Sequence, residues 1–420
     1  MARQKLLNKQ SFVWAIYDCG NSAFALTVLA AIFPVFLGSY YISDFERELS
    51  TSRLAWTNAI ASLVVFVLAP VLGTIADNGG MRKQFLAFFA VLGAVSTASL
   101  GLIGEGAWFW ALVCFGLGSV GYYGANVFYD SLLVDVTTRK TFNFVSSLGY
   151  ALGYIGGALL LGVHVLMTLH PEWFGLADAA PAVKVAFVTV GIWWVLFLLP
   201  ILFVVQEKKA DATLRDASVR AAYAKLGETL REIGRYRDAV AFLGAYVLYI
   251  AGVFTVIAMG ANFGQRLGFD ETDLVLALFI TNIAGFPATI LYGYIGHHIG
   301  AKYSLYIGLV VYIGVAIWAG YLTEVRQFYA MAITIGLVQG GVQGMSRSLY
   351  ASLIPQDRAG EFFGFYNMLT KFAHFIGPLI VGTVAFYFRD PKLILLPMIP
   401  LFVIGGLLLA RLPRDGKSMS

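Results

Sequence analysis

The chain has 420 residues, 59% of them hydrophobic and 13% charged, with a mean hydropathy of +0.76. A soluble domain carries about 25% charge, so this is the composition of a membrane protein with no length to spare for a large soluble catalytic domain. The formal charge of +5 reflects 29 Lys and Arg against 24 Asp and Glu; in such a chain the placement of the bases matters more than their sum, and nucleic acid is not an expected partner.

Apolar runs broken by charged and turn-rich segments predict twelve spans. They cover residues 12–41, 54–76, 84–104, 107–134, 144–168, 183–205, 239–262, 273–296, 303–322, 327–354, 362–388 and 393–411. The first run follows Arg3, Lys5 and Lys9 but is about 30 residues long, against roughly 7 to 15 for a signal-peptide core, and it contains Asp18 and Asn21; it is expected to stay in the mature protein. Cys19 and Cys114 lie in apolar runs with no CxxC or Cys/His spacing, so no disulfide, zinc or iron-sulfur site is expected, and no cofactor.

With a cytoplasmic N-terminus, the inner segments hold 20 basic residues and the outer ones 7, while acids divide 11 against 11. A bias confined to the bases is what the positive-inside rule requires, so both termini are expected in the cytoplasm. The longest polar interruption, residues 206–238, separates an N-terminal half (1–205) from a C-terminal half (239–420). Within it Tyr223, Leu226, Leu230 and Ile233 recur at helical spacing, with Arg220, Lys225, Arg231 and Arg235 on other faces, which predicts an amphipathic helix on the inner membrane surface.

The halves repeat. Gly73-x-x-x-Asp77-x-x-Gly80-x-Arg82 after the second span returns as Gly293-x-x-x-His297-x-x-Gly300-x-Lys302 after the eighth, an offset of 220 residues. The same offset carries Gly121 and Gly124 onto Gly341 and Gly344. Two parallel six-helix repeats joined by a linker place a substrate site near the bilayer midplane between them.

Four full charges remain inside spans: Asp18, Asp130, Arg347 and Lys371. Each costs several kcal/mol unless paired or hydrated, so each is a functional candidate. At 1.5 Å per residue, the acids lie roughly 7 to 9 Å and the bases roughly 10 to 14 Å from the inner ends of their spans. Acids come from the first half and bases from the second, so a cavity between the halves has oppositely charged walls. Alternatively the four pair with one another and hold the halves together. Tyr17 and Asn21, Asn126, Gln339 and Gln343, and Asn367 lie on the same spans, with Asn126 and Asp130, and Gln343 and Arg347, four residues apart on one face. His374 follows Lys371 by three residues and is a candidate proton shuttle. Gly149, Gly153 and Gly157 form a ladder that allows close helix approach in the fifth span.

The loop from Gly73 to Lys83 resembles that of the major facilitator superfamily. More specific are Trp14-Ala15-Ile16-Tyr17-Asp18-x-x-Asn21-Ser22-Ala23-Phe24, Ser147-Leu148-Gly149-Tyr150-Ala151-Leu152-Gly153-Tyr154, Gly341-Val342-Gln343-x-x-Ser346-Arg347-Ser348-Leu349 and Glu361-Phe362-Phe363-Gly364-x-Tyr366-x-x-x-x-Lys371-Phe372. In these stretches the chain is similar to the bacterial and fungal family named after the vacuolar amino-acid effluxer linked to autophagy. In the seventh span the family often has Tyr-Asn-Asp-Gly, whereas this chain reads Tyr249-Ile250-Ala251-Gly252 and lacks the acid. The resemblance implies a secondary transporter of small organic solutes, amino acids being the best-known class.

The expectation is an all-α membrane protein of twelve transmembrane helices with the major facilitator fold, working by alternating access. Tyr17, Asn21, Asn126, Gln339, Gln343, Arg347, Asn367 and Lys371 are expected to bind an amino acid or other carboxylate, because the Arg fork suits a planar carboxylate. Asp18, Asp130 and His374 are expected to carry protons or form ion pairs, and Gly73, Asp77, Gly80, Arg82 and Lys83 to form a cytoplasmic gate. A monomer in a bacterial cytoplasmic (inner) membrane is expected, with the lipid bilayer, the substrate and protons as partners. The rival is a receptor or scaffold that keeps the fold without turnover; an enzyme is disfavoured because no nucleophile-base pair or metal cluster appears.

Overall fold

In a computed structural model of the chain, residues 6–42, 50–207, 227–228, 233–387 and 393–412 are described. The first half contains α1 (Lys9–Tyr41), α2 (Ser50–Gly79), α3 (Arg82–Leu100), α4 (Trp108–Val136), α5 (Phe142–Leu169) and α6 (Ala179–Val204). The second contains α7 (Arg237–Arg266), α8 (Glu271–Ile299), α9 (Ala301–Ala319), α10 (Val325–Leu353), α11 (Ala359–Tyr387) and α12 (Met398–Ala410). Among the described residues no strand occurs, and nine helices, α1 to α9, are long and apolar enough to cross a bilayer. α10 has 29 residues but carries Gln339, Gln343, Arg347 and three serines, and α12 has only 13 residues. The linker positions Arg220, Tyr223, Lys225, Leu226, Leu230 and Arg231 lie outside the described residues; Ile233–Tyr236 forms a 3-10 turn leading into α7.

Local chemistry sets the ends and bends of these helices. The Asn8 side chain accepts from the Ser11 amide at 2.8 Å while Ser11 Oγ accepts from the Asn8 amide at 2.9 Å, a reciprocal cap that starts α1. Around Pro34 the same helix widens into π-helical turns at Phe24–Ile32 and Leu37–Tyr41, as expected where proline removes a donor from the ladder. The reversals after α2 and α8 turn on Gly80 (φ +62°) and Gly300 (φ +90°), a backbone region that side-chain-bearing residues avoid.

The sequence repeat has a structural counterpart. Lys83 at the start of α3 donates from Nζ to the carbonyls of Leu202 (3.1 Å) and Val205 (2.9 Å), closing the open end of α6. Lys302 at the start of α9 does the same for α12, through Ala410 (3.0 Å) and Leu412. The alignment by 220 residues pairs Lys302 with Arg82, so the capping role sits one position away from the sequence match. Large apolar side chains such as Phe88, Trp110, Phe203, Leu291, Val310 and Leu407 are exposed and form a lipid-compatible exterior.

Lipid tails give no hydrophobic drive between helices, so the bundle depends on close packing. In α5 the predicted glycine ladder lies against α1: a Cβ at Gly153 would stand 2.5 Å from Ser22 Oγ, and one at Gly157 2.7 Å from Leu26 Cδ1. The halves meet along two seams. In one, α2 crosses α11, where a Cβ on Gly73 would lie 2.2 Å from the Gly360 carbonyl oxygen. In the other, α5 packs on α8 and α10, with Ser147 wedged against Gly293 and Gly344.

Candidate functional site

The end of the bundle that holds the start of α1 and the end of α12 is termed proximal, and the opposite end distal. A cavity of about 1540 Å³ lies between the halves. Its distal walls come from Val35 and Tyr40 late in α1, Ala55 early in α2, Leu169 late in α5, Ala180 early in α6, Val275 early in α8 and Phe328 early in α10. These positions show that it runs to the distal face. At its proximal end the lining changes from apolar to polar, with Asp18, Asn21, Asn126, Asp130, Gln339, Gln343, Arg347, Asn367 and Lys371.

The floor is an inter-half ion pair. Arg347 donates from Nη1 to Asp130 Oδ1 at 2.9 Å, from Nε to Ser146 Oγ at 2.9 Å and from Nη2 to the Ser146 carbonyl at 2.7 Å. Asn367 donates to the other Asp130 oxygen at 3.0 Å. The guanidinium carbon lies 4.3, 4.8 and 5.2 Å from the ring centres of Tyr150, Trp14 and Tyr129. Burial is tolerated because the fork is satisfied and its charge is met by a carboxylate and three π faces. Arg347 is only 1% exposed, so its fork is engaged by protein groups.

Asp18 and Lys371 are arranged differently. Neither has an ion-pair partner within 4.0 Å among the described residues. Lys371 projects into the cavity with Nζ 3.4 Å from the Tyr123 ring centre and 5.9 Å from that of Tyr122. Asp18 is 5% exposed, and its Oδ1 lies 3.4 Å from Ser22 Oγ. The expected mutual pairing of the four charges therefore holds for Asp130 and Arg347 and not for Asp18 and Lys371.

The remaining expected residues divide by position. Asn21 donates to Asn126 Oδ1 at 2.8 Å, and Gln343 donates to Tyr154 Oη at 3.2 Å, all on the cavity wall. Gln339 lines the cavity with Oε1 buried and without a hydrogen-bond partner. His374 lines it stacked on Phe254 at 3.8 Å, with no carboxylate beside it in the described structure. Tyr17 is a correction: it is fully buried behind the wall, accepting from Trp194 Nε1 at 3.1 Å, and does not line the cavity, because α1 turns that face toward α4 and α6.

The proximal end is shut. Asp77 at the end of α2 accepts from the amides of Gly360 (2.9 Å) and Glu361 (2.8 Å), so a carboxylate of one half occupies the positive N-terminal end of α11 in the other. Arg82 donates from Nε to Asp77 at 2.7 Å and from Nη1 to Asp135 at 2.9 Å, and its Nη2 reaches across to the carbonyls of Gln356 and Asp357. Gly73 and Gly80 permit the close crossing and the turn that place these groups. Lys83 is a second correction: it closes α6 within its own half and, among the described residues, takes no part in the seam. At the other seam His297 Nδ1 lies 3.0 Å from the Lys140 carbonyl oxygen, and Asn143 donates to the Gly296 carbonyl at 2.7 Å.

Sequence reasoning missed several working groups. Tyr150 and Ser146, which cage Arg347, were readable only as part of a packing helix. Asp135 has no motif partner in sequence. Glu207 accepts from the Arg82 and Lys83 amides at 2.8 and 3.2 Å and so caps α3; burial raises its carboxyl above the ordinary range.

Comparison with known proteins fits this geometry. The family model described as Vacuole effluxer Atg22 like matches residues 39–139 and 134–418. An uncharacterized MFS-type transporter of Bacillus subtilis, YxiO, is 36% identical over 98% of this chain and 96% of its own length. Autophagy-related protein 22 of Coccidioides immitis is 24% identical over 89% of this chain and 75% of its own. Among solved structures, the human organic anion transporter MFSD10 aligns with a TM-score of 0.73 at 15% identity, covering 96% of this chain and 100% of that one. The proton:xylose symporter XylE gives 0.73 at 14%, covering 98% and 97%. A cavity between two helical halves, closed at one end by helix-end contacts, in a sequence matched by this family model over most of its length, makes the chain a multi-pass membrane transporter of the major facilitator type that belongs to the Vacuole effluxer Atg22 like family.

Proposed function

We propose that the protein is a secondary transporter of a small carboxylate-bearing solute, an amino acid in the first instance, and that the structure corresponds to its outward-open state. The observation that carries this reading is Lys371, a cation in the cavity wall with no carboxylate partner among the described residues. An unpaired charge on a membrane-spanning helix is costly, and a substrate carboxylate would offset the cost on binding. Arg347, the expected clamp, is occupied by Asp130 and Ser146; it supports the floor while Lys371 takes the anionic group. Asn21, Asn126, Gln339 and Gln343 supply neutral hydrogen bonds, and Asp18 a site for positive charge. A lone carboxylate must be compensated when the cavity closes over it, and a proton is one source of that compensation.

The bias of bases toward the termini-bearing side supports cytoplasmic termini; twelve crossings, a bacterial inner membrane and a monomer as the working unit are parts of the same proposal. The proximal seams are then the cytoplasmic gate, and substrate enters this state from outside. The test is a ligand screen by thermal unfolding in detergent, with amino acids, other carboxylates and neutral sugars, on the parent and on Lys371→Ala. Ligand binding to the folded state raises the midpoint by mass action. Stabilisation by a carboxylate that is lost in Lys371→Ala supports the reading. Stabilisation by neutral sugars alone, or by a carboxylate equally in both proteins, overturns it.

A further inference from the structure

The cation of the cavity wall rests on an aromatic ring that belongs to the other half. Lys371 Nζ lies 3.4 Å from the Tyr123 ring centre, well inside the roughly 6 Å within which a cation and a ring attract. At that distance the nitrogen stands over the face, because an approach in the ring plane would collide with the hydrogens at its edge. The nearest competitor is already engaged. Asp130 commits Oδ1 to Arg347 at 2.9 Å and Oδ2 to Asn367 at 3.0 Å, Asn367 standing one turn before Lys371 on α11. Among the described residues Lys371 therefore meets a π face where an ion pair would be expected.

The ring is held on several sides. Tyr122, its neighbour on α4, meets it edge-on at 5.5 Å and 61°, and packs in turn against Phe24 of α1 at 5.4 Å and Trp194 of α6 at 6.4 Å. Ser62 of α2 lies beside the Tyr123 hydroxyl. Lys371, by contrast, is a point charge on a flexible four-carbon stem, and fixing such a stem costs rotamer entropy. A rigid ring beneath the ammonium lowers that cost before a ligand arrives. It also takes up only one side of a group with three N–H donors, and both residues line the cavity.

We propose that Tyr123 is the positioning residue of the carboxylate site: its π face holds the Lys371 ammonium charged and aimed into the cavity, so that a substrate carboxylate meets a preorganised donor. The inference rests on the transport reading above and adds to it a residue of the first half. Preorganising one long side chain improves affinity about two- to tenfold, the entropy that binding no longer has to remove.

The test uses full-length protein carrying at position 123 a phenylalanine with no, one, two or three ring fluorines, which weaken the π face stepwise at nearly constant size. Thermal unfolding in detergent is followed without ligand, in the parent background and in Lys371→Met, and then with acetate, lactate and the proteinogenic amino acids. Without ligand the midpoint should fall with each fluorine in the parent background and stay level in Lys371→Met. With the panel member that stabilises the parent most, Tyr123→Phe should bind nearly as the parent does, and the dissociation constant should rise about two- to tenfold along the series. Affinity that is flat along the series, or that improves as the ring would if it competed with the carboxylate, overturns the proposal; so does a midpoint that falls equally in Lys371→Met. If Lys371→Met does not fold, the affinity series decides alone. A carboxylate effect that is lost in Lys371→Ala but indifferent to fluorine leaves the transport reading standing and removes Tyr123. A parent that no panel member stabilises overturns both, and a fluorine series that still depends on Lys371 then marks the contact as structural.

Discussion

Asp77→Asn tests the proximal gate. The substitution keeps shape and removes charge: an amide oxygen can retain one of the two α11 amides, while the amide NH₂ faces either the Glu361 N–H or both the Gly360 N–H and the Arg82 guanidinium, all donors. Loss of a charge-assisted hydrogen bond costs about 1.5–3 kcal/mol, and loss of the anion at a helix N-terminus about 0.3–1 kcal/mol. Arg82 keeps Asp135, which limits further loss. Together roughly 2–4 kcal/mol leaves the proximally closed state, shifting the balance between states by about 30- to 700-fold. The reporter is Ser147→Cys, a near-isosteric change at a fully buried serine whose hydroxyl has no hydrogen-bond partner and which faces Gly293 and Gly344 across the other seam. In a background lacking Cys19 and Cys114, this cysteine should react slowly with an impermeant thiol reagent in inside-out vesicles, and much faster when Asp77→Asn is added. Equal labelling rates with and without Asp77→Asn, at equal folded protein, would refute the gate argument.

Removing one partner of the buried Asp130–Arg347 pair should cost about 3–5 kcal/mol, so Asp130→Asn and Arg347→Ala should each lower the unfolding midpoint and abolish transport. Arg347→Lys should retain partial function, and a double-mutant cycle should show strong coupling; additive effects would mean that the pair contributes little. Gly73→Ala places a methyl group 2.2 Å from the Gly360 carbonyl oxygen and should force α2 from α11, increasing Ser147→Cys labelling from the cytoplasmic side; no change would show that the seam yields without opening. A reporter fused at the C-terminus and active only outside the cytoplasm should be silent, and strong external signal would reverse the orientation.

The legible part of this protein is the part written in charges, glycines and repeats. Four charges inside apolar runs located the floor of the cavity because a membrane interior tolerates such groups only with a purpose. Asp77 was readable as a gate residue from the Gly73-x-x-x-Asp77-x-x-Gly80-x-Arg82 motif, because an acid at the end of one helix complements the positive start of another at the same face. Partner choice was not readable. Asp130 and Arg347 are 217 positions apart, and which acid meets which base depends on how each helix is rotated about its axis. Helices apolar on nearly every face carry little periodic signal to fix that rotation, so Tyr17 reads as lining the cavity and proves to pack behind it. Lys83 shows a second limit: it adjoins Arg82 in sequence, but one residue of helix turns it about 100° away, toward α6 instead of the seam. Ser146 and Tyr150 were hidden for a similar reason, since a glycine-rich helix reads as packing whichever face meets the guanidinium.

The central claim is that this cavity carries a carboxylate-bearing solute across the membrane, anchored at Lys371. The most direct measurement is counterflow in proteoliposomes: vesicles preloaded with an amino acid identified by the stability screen, diluted into a trace of the labelled compound. The parent should accumulate label transiently above equilibrium, and Lys371→Ala should not, although it is folded and inserted to the same level. Counterflow by Lys371→Ala at the parent's rate and half-saturation, or none by the parent with a ligand it demonstrably binds, would contradict the account.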